Sequence, residues 1–173
     1  MRLQLWLEAG ATKAQVRQAL ELEGLTGTAL KSAPNYIHYE EFLNARQGRL
    51  LESWLKKNIP SQNVWLSKNL DNVPKELLED SKAYKMFVRY AKMEDDKIFK
   101  LKNQDKEVDI LYGGSPAEME AKLDIWVSAG RPNWYVRKML NLDSRSRRAF
   151  LKSKYYPYYD KFLERTGQPR LSQ

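Results

Sequence analysis

Residues 5–22, LWLEAGATKAQVRQALEL, align without a gap to residues 125–142, IWVSAGRPNWYVRKMLNL. The offset of 120 carries Trp6, Ala9, Gly10, Val16, Arg17, Leu20 and Leu22 onto Trp126, Ala129, Gly130, Val136, Arg137, Leu140 and Leu142. It then carries Ala29, Tyr36, Tyr39, Phe42 and Leu43 onto Ala149, Tyr156, Tyr159, Phe162 and Leu163. A register held that long marks a repeat architecture. At an offset of 48 a more diverged copy appears, with Trp54, Val64, Leu70, Tyr84, Phe87 and Tyr90 in the matching places and Lys68 where Leu20 and Leu140 stand.

The recurring residues have a physical logic. Four residues after each tryptophan comes Gly10, Asn58 or Gly130, residue types that accept the left-handed conformation closing a helix. A second helix is expected at once. Thr12 with Gln15 forms a capping box, and Pro60-Ser61 and Pro132-Asn133 supply proline and capping chemistry at the same place. Its inward residues include Val16, Ala19 and Leu20. Aromatics at i, i+3 and i+6, such as Tyr36, Tyr39 and Phe42, then cover an arc of roughly 120° on a helix, wide enough to roof a tryptophan. Each copy is thus expected to be a tryptophan helix, a valine helix, a loop and an aromatic helix folding back over the first. The expected class is all-α, built of tandem small helical bundles stacked end to end.

The units expected are residues 1–47, 48–96 and 118–173, with a helical connector at 97–117. From Tyr36 to Leu55 the apolar residues keep a helical period interrupted only by Gly48, so the last helix of the first unit is expected to run into the first of the second. Gly113-Gly114 breaks the connector, and Ser115, Pro116 and Glu118 open the third tryptophan helix. The motif core expected is Trp6, Val16, Leu20, Tyr36 and Tyr39 in the first copy. Its counterparts are Trp54, Val64, Tyr84, Phe87 and Tyr90 in the second, and Trp126, Val136, Leu140, Tyr156 and Tyr159 in the third.

With 42% hydrophobic and 12% aromatic residues, the 173-residue chain is expected to fold despite a mean hydropathy of −0.70. No cysteine and one histidine, His38, exclude disulfides, thiolate chemistry and histidine-rich metal sites. No apolar run reaches the ~20 residues of a membrane span, so the chain is expected to be soluble and not membrane-inserted. His38 has Met86 and Tyr158 as its equivalents and reads as a flanking residue. Asp95-Asp96 and Glu40-Glu41 are sequence neighbours, which on a helix point about 100° apart and do not converge as a carboxylate pair. With no phosphate loop or nucleophile constellation either, no enzyme activity, cofactor, metal or small-molecule substrate is expected.

Partner contacts are expected where the copies differ. Trp134 and Tyr135 replace Ala14 and Gln15, and Trp65 replaces Arg17 and Arg137. Aromatics at positions that are polar elsewhere are candidate interface anchors, with packing between modules as the competing reading. The formal charge of +8 is interspersed with 22 acids except at Arg145, Arg147, Arg148, Lys152 and Lys154. That stretch reads as a solvated face, an acidic-partner patch or a nucleic-acid contact.

The stretch LWLEAGATKAQVRQALEL followed by NYIHYEEFL, echoed by IWVSAGRPNWYVRKMLNL followed by YYPYYDKFL, resembles the tandem WY and LWY modules of RXLR-type effectors secreted by oomycete plant pathogens. Residues 109–123 stand where that family has its L motif. The resemblance implies helical bundles held by tryptophan–tyrosine contacts at Trp6, Trp54 and Trp126, concatenated into rods whose surfaces bind host proteins. It further implies a secreted, non-enzymatic virulence effector that acts in the host cytoplasm or nucleus by docking onto a host plant protein and suppressing immunity. The family's secretion signal and arginine-rich region are absent from the sequence, which is expected to begin after them. A nucleic-acid-binding protein using the basic patch and a purely structural helical-repeat scaffold stand as alternatives.

Overall fold

In the computed structural model, which describes residues 2–143 and 146–170, the class is all-α. The described residues form eleven α-helices, one 3-10 turn and no strand. The chain divides into two compact units, Met1–Asn58 and Ile59–Gln173.

The first unit holds α1 (Arg2–Glu8), α2 (Lys13–Ala19), α3 (Gly27–Lys31) and α4 (Tyr36–Lys56). Thr12 and Gln15 close a reciprocal capping box on α2, as the spacing predicts. Both α1 and α2 pack on α4. Their shared core is Val16, Leu20, Leu22, Tyr39 and Phe42, with Trp6 and Tyr36 half-buried at its margin. The Trp6 indole meets Phe42 edge-on, ring centres 6.4 Å apart. Helix α4 continues unbroken through Gly48 to Lys56, so the expected fusion of an aromatic helix with the next tryptophan helix is present. Trp54, expected to open the second copy, lies in the last turn of α4 and falls within the first compact unit.

The second unit holds α5 (Ser61–Ser67), a 3-10 turn (Leu70–Asn72), α6 (Lys75–Leu78), α7 (Lys82–Lys102), α8 (Pro116–Ser128), α9 (Asn133–Met139), α10 (Arg147–Leu151) and α11 (Tyr156–Arg165). Helix α7 is its spine, with α5 and α8 packed on it, and α11 packs on α8. The larger core gathers Ile98 from α7, Met119, Leu123 and Trp126 from α8, Tyr135 and Val136 from α9, and Tyr159, Phe162 and Leu163 from α11.

Two details depart from the sequence reading. The connector expected to be helical over 97–117 is helix to Lys102 and again from Pro116, where α8 begins. Asp105 closes α7 in the left-handed region, and residues 106–115 are irregular up to Gly113 and Gly114, both at positive φ. Neither Pro60-Ser61 nor Pro132-Asn133 supplies a side-chain cap. For α5 the acceptor comes from a neighbour instead: both Glu94 carboxylate oxygens, on α7, accept from the Ser61 N–H at 3.1 Å. A carboxylate there also meets the positive end of the helix dipole.

The backbone repeats as the sequence does. Gly10, Asn58 and Gly130, each closing its tryptophan helix, all have φ between 53° and 64°. Glu21, Asn69 and Asn141, at the same two offsets, are left-handed as well. Two helix ends per copy are thus fixed by one residue in a conformation that costs an ordinary side chain about 1–2 kcal/mol. At Gly130 an added Cβ would meet nothing within 4 Å, so a substitution there tests the backbone alone. Gly130→Val is expected to destabilise the second unit by at least that amount in urea unfolding. Gly130→Asn, which installs the residue type that Asn58 supplies in the second copy, should cost only a few tenths of a kcal/mol.

Candidate functional site

The densest polar cluster is built from adjacent residues of α7. One helical step of about 100° turns Asp95 inward and leaves Asp96 in solvent. Asp95 is 5% exposed. Its Oδ1 accepts from the Trp126 Nε1–H at 3.1 Å and the Tyr135 hydroxyl at 2.7 Å, and its Oδ2 accepts from the Arg131 Nε–H at 2.7 Å. The outer guanidinium nitrogen of Arg131 pairs with Asp96. The same guanidinium lies 4.2 Å above the centre of the Phe99 ring. One planar fork therefore spans both carboxylates and ties α7 to the turn between α8 and α9.

Burial pushes the Asp95 carboxyl above its ordinary range, and hydrogen bonds from Tyr135, Arg131 and Trp126 oppose the shift. Burial beside that carboxylate pushes the Tyr135 phenol up. A cavity of about 30 Å³ adjoins the cluster, lined by Asp95 itself with Ser61, Glu94, Ile98, Trp126 and Met139. The cluster ties α7 to α8, to the turn after it and to α9, and so works as a latch between helices.

Tyr90 is a second inward polar group, fully buried, its hydroxyl donating to the Ile59 carbonyl at 2.6 Å. Burial, with the nearby Glu94 charge, raises its phenol from 10.0 to about 12. The folded chain thus keeps a proton that the unfolded chain loses, so stability present below pH 10 should drain away as the pH rises from about 10 to 12. The denaturation midpoint is expected to fall across that window, and Tyr90→Phe should make the fall shallower while the other raised phenols, Tyr135 among them, keep part of it.

The structure separates the expected partner-binding residues. Trp65 and Tyr135 are fully buried, which removes them as accessible anchors. The Trp65 indole donates to Asp71 at 2.7 Å and meets the edges of Phe87 at 4.9 Å and Tyr84 at 6.3 Å. Tyr135 belongs to the latch. Both fill core at positions that are polar in the other copies. Trp134 is half-buried, stacked on Phe99 at 5.9 Å with the Lys138 ammonium over its ring, and leaves an accessible edge. Arg147 and Arg148 are exposed on α10, while Arg145 lies outside the described residues.

Among the motif residues, Val16, Leu20, Tyr39, Val64, Phe87, Tyr90, Trp126, Val136, Leu140, Tyr156 and Tyr159 are buried, and Tyr84 is half-buried against Trp65. His38 is exposed, its Nδ1 3.2 Å from the Glu41 carboxylate. Among the described residues no three histidine, aspartate or glutamate side chains gather as a metal site, and no helix is long and apolar enough to cross a membrane. Sequence reasoning missed the latch. The one available signal was Arg131, an arginine where the first copy has Ala11 and the second Ile59.

Comparison with known proteins gives the affiliation. A protein of Phytophthora infestans (strain T30-4) described as a secreted RxLR effector protein is 34% identical over 138 residues, 78% of this chain. The chain is a homologue of oomycete RxLR effectors. The RxLR effector protein Avr1 of the same organism is 27% identical over 139 residues, 80% of this chain. This effector homologue spans about three fifths of the length of each relative, 59% and 63% respectively. No family model matches it, and no solved structure matches it.

Proposed function

We propose that this effector homologue is a secreted virulence protein that works inside the plant cell by binding a host protein, altering that protein's activity or complexes without catalysis and so suppressing immunity. The observation that carries the reading is the relationship to two RxLR effectors over about four fifths of the chain. The fold is consistent with it: the buried carboxylate and phenols are spent on holding helices, and the surface where the copies differ is left for recognition. The WY-module identity of the three copies and their boundaries at 1–47, 48–96 and 118–173 belong to the same proposal.

Expression of the chain in leaf cells, followed by challenge with a pathogen-derived elicitor, tests the immune component. The expected result is a weakened response relative to cells expressing Asp95→Ala. An undiminished response at matched protein levels of the folded chain would remove immune suppression from the proposal.

A further inference from the structure

Helices α3, α6 and α10 begin at Gly27, Lys75 and Arg147, the offsets of 48 and 120 that relate the three copies. They are one structural element met three times, so each is a control for what the fold requires. The first reads GTALKSAP (27–34), with a single cation. The second reads KELLEDSK (75–82), of mixed sign with three acids. The third reads RRAFLKSK (147–154), with four cations and no acid. The backbone tolerates neutral, mixed and strongly basic versions, so the third charge set is not a condition of folding.

Local energetics point the same way. Arg147 and Arg148 open α10, at the helix end where the dipole favours anions. Arg148 and Lys152 are like charges at i and i+4, a spacing that weakens a helix. All four cations are exposed, and Arg147, Arg148 and Lys152 form no ion pair with a described residue. Among them lies Leu151, 37% exposed, on the same face as Arg147 one turn earlier.

We infer that Arg147, Arg148, Lys152 and Lys154, with Leu151 among them, form a docking face for an acidic surface of a partner protein. This rests on the reading of the chain as a host-protein binder, and names the face it uses. Four cations with no acid among them match a carboxylate cluster, and the adjoining leucine, 37% exposed, can rest on an apolar patch that a protein surface offers and a phosphate backbone does not. Nucleic acid fits less well. The ring within the stretch is turned inward, Phe150 meeting the edges of Tyr156 and Tyr159 at 5.6 and 5.8 Å, so it is not free to stack on a base. A five-residue helix is also only ~7.5 Å long, a short track for a phosphate chain.

The test compares the full chain with Arg147→Glu/Arg148→Glu/Lys152→Glu in capture from leaf extract, with elution by untagged chain. Bound material is joined by a zero-length carbodiimide, which links amines only to touching carboxylates. The wild-type chain should yield a host protein cross-linked through Lys152 or Lys154 to an aspartate or glutamate. Charge reversal should lower its recovery at least tenfold with an unchanged melting curve. If reversal disturbs folding, the triple glutamine variant takes its place and should show the same direction of loss.

Equal recovery by both chains would overturn the docking face while leaving host-protein binding intact. A 20-base-pair RNA duplex, bound with a steep salt dependence that reversal abolishes while host-protein recovery is unaffected, would reassign the face to phosphate. No host protein competed from either chain would overturn the binding reading and this face with it.

Discussion

Asp95→Ala is expected to destabilise the second compact unit by about 3–5 kcal/mol, the cost of breaking a buried ion pair from one side. The loss exceeds one hydrogen bond because three donors converge on this carboxylate. Without it the Trp126 indole N–H and the Tyr135 hydroxyl lose their side-chain acceptor inside the core, and Arg131 keeps Asp96 and the face of the Phe99 ring but loses its buried carboxylate. The Tyr135 hydroxyl retains the Asp95 main-chain carbonyl at 3.2 Å, which softens but does not remove the penalty. Asp95→Asn keeps an acceptor for two donors and should cost less than the alanine. Asp95→Ala combined with Arg131→Met should recover part of the loss, since no buried charge is then left unpaired. Urea unfolding of wild type, the two single variants and the double variant, arranged as a double-mutant cycle, measures the coupling. Additive single effects would show that the latch is not a unit.

The second large effect lies at Trp65. This ring is fully buried between α5 and α7, in contact with Phe87 and Tyr84, and its N–H is spent on Asp71. Trp65→Ala should therefore cost about 3–5 kcal/mol through lost burial and the cavity left behind. Trp65→Phe should cost less, because it keeps much of the ring packing and the abandoned Asp71 is exposed and reaches solvent. A partner-binding role would instead predict weakened binding at unchanged stability. A stability measurement alongside any binding assay keeps the two separate, and the same control applies to Tyr135.

These two residues mark where sequence reading reaches its limit. The repeat, the all-α class, the left-handed closures at Gly10, Asn58 and Gly130, the Thr12 box and the passage of α4 through Gly48 are local properties of residue type and period, and are legible in the sequence. Trp65 and Tyr135 are conspicuous there for the right reason, since they break the repeat, but the repeat cannot say in which direction an unusual side chain points. Both fill core that the other copies fill differently. The latch is illegible because it depends on three residues 31 to 40 positions away from Asp95. The 100° step between Asp95 and Asp96 argues against a convergent carboxylate pair, yet it is what lets Arg131 bridge a buried and an exposed carboxylate. The connector departs from expectation because the helical period of α7 ends at Lys102, and the left-handed Asp105 gives no strong signal in sequence.

Core and surface thus divide between residues that hold the helices together and residues that vary among the sequence copies, with α10 the clearest instance of the latter. The most direct measurement is the recovery of host proteins from plant leaf extract on the immobilised, folded chain, in competition with an excess of the same chain free in solution. Host-protein binding predicts a small set of proteins, held at saturable stoichiometry and released by the free chain. Recovery that the free chain fails to displace, or that matches recovery on unrelated helical protein, would contradict it.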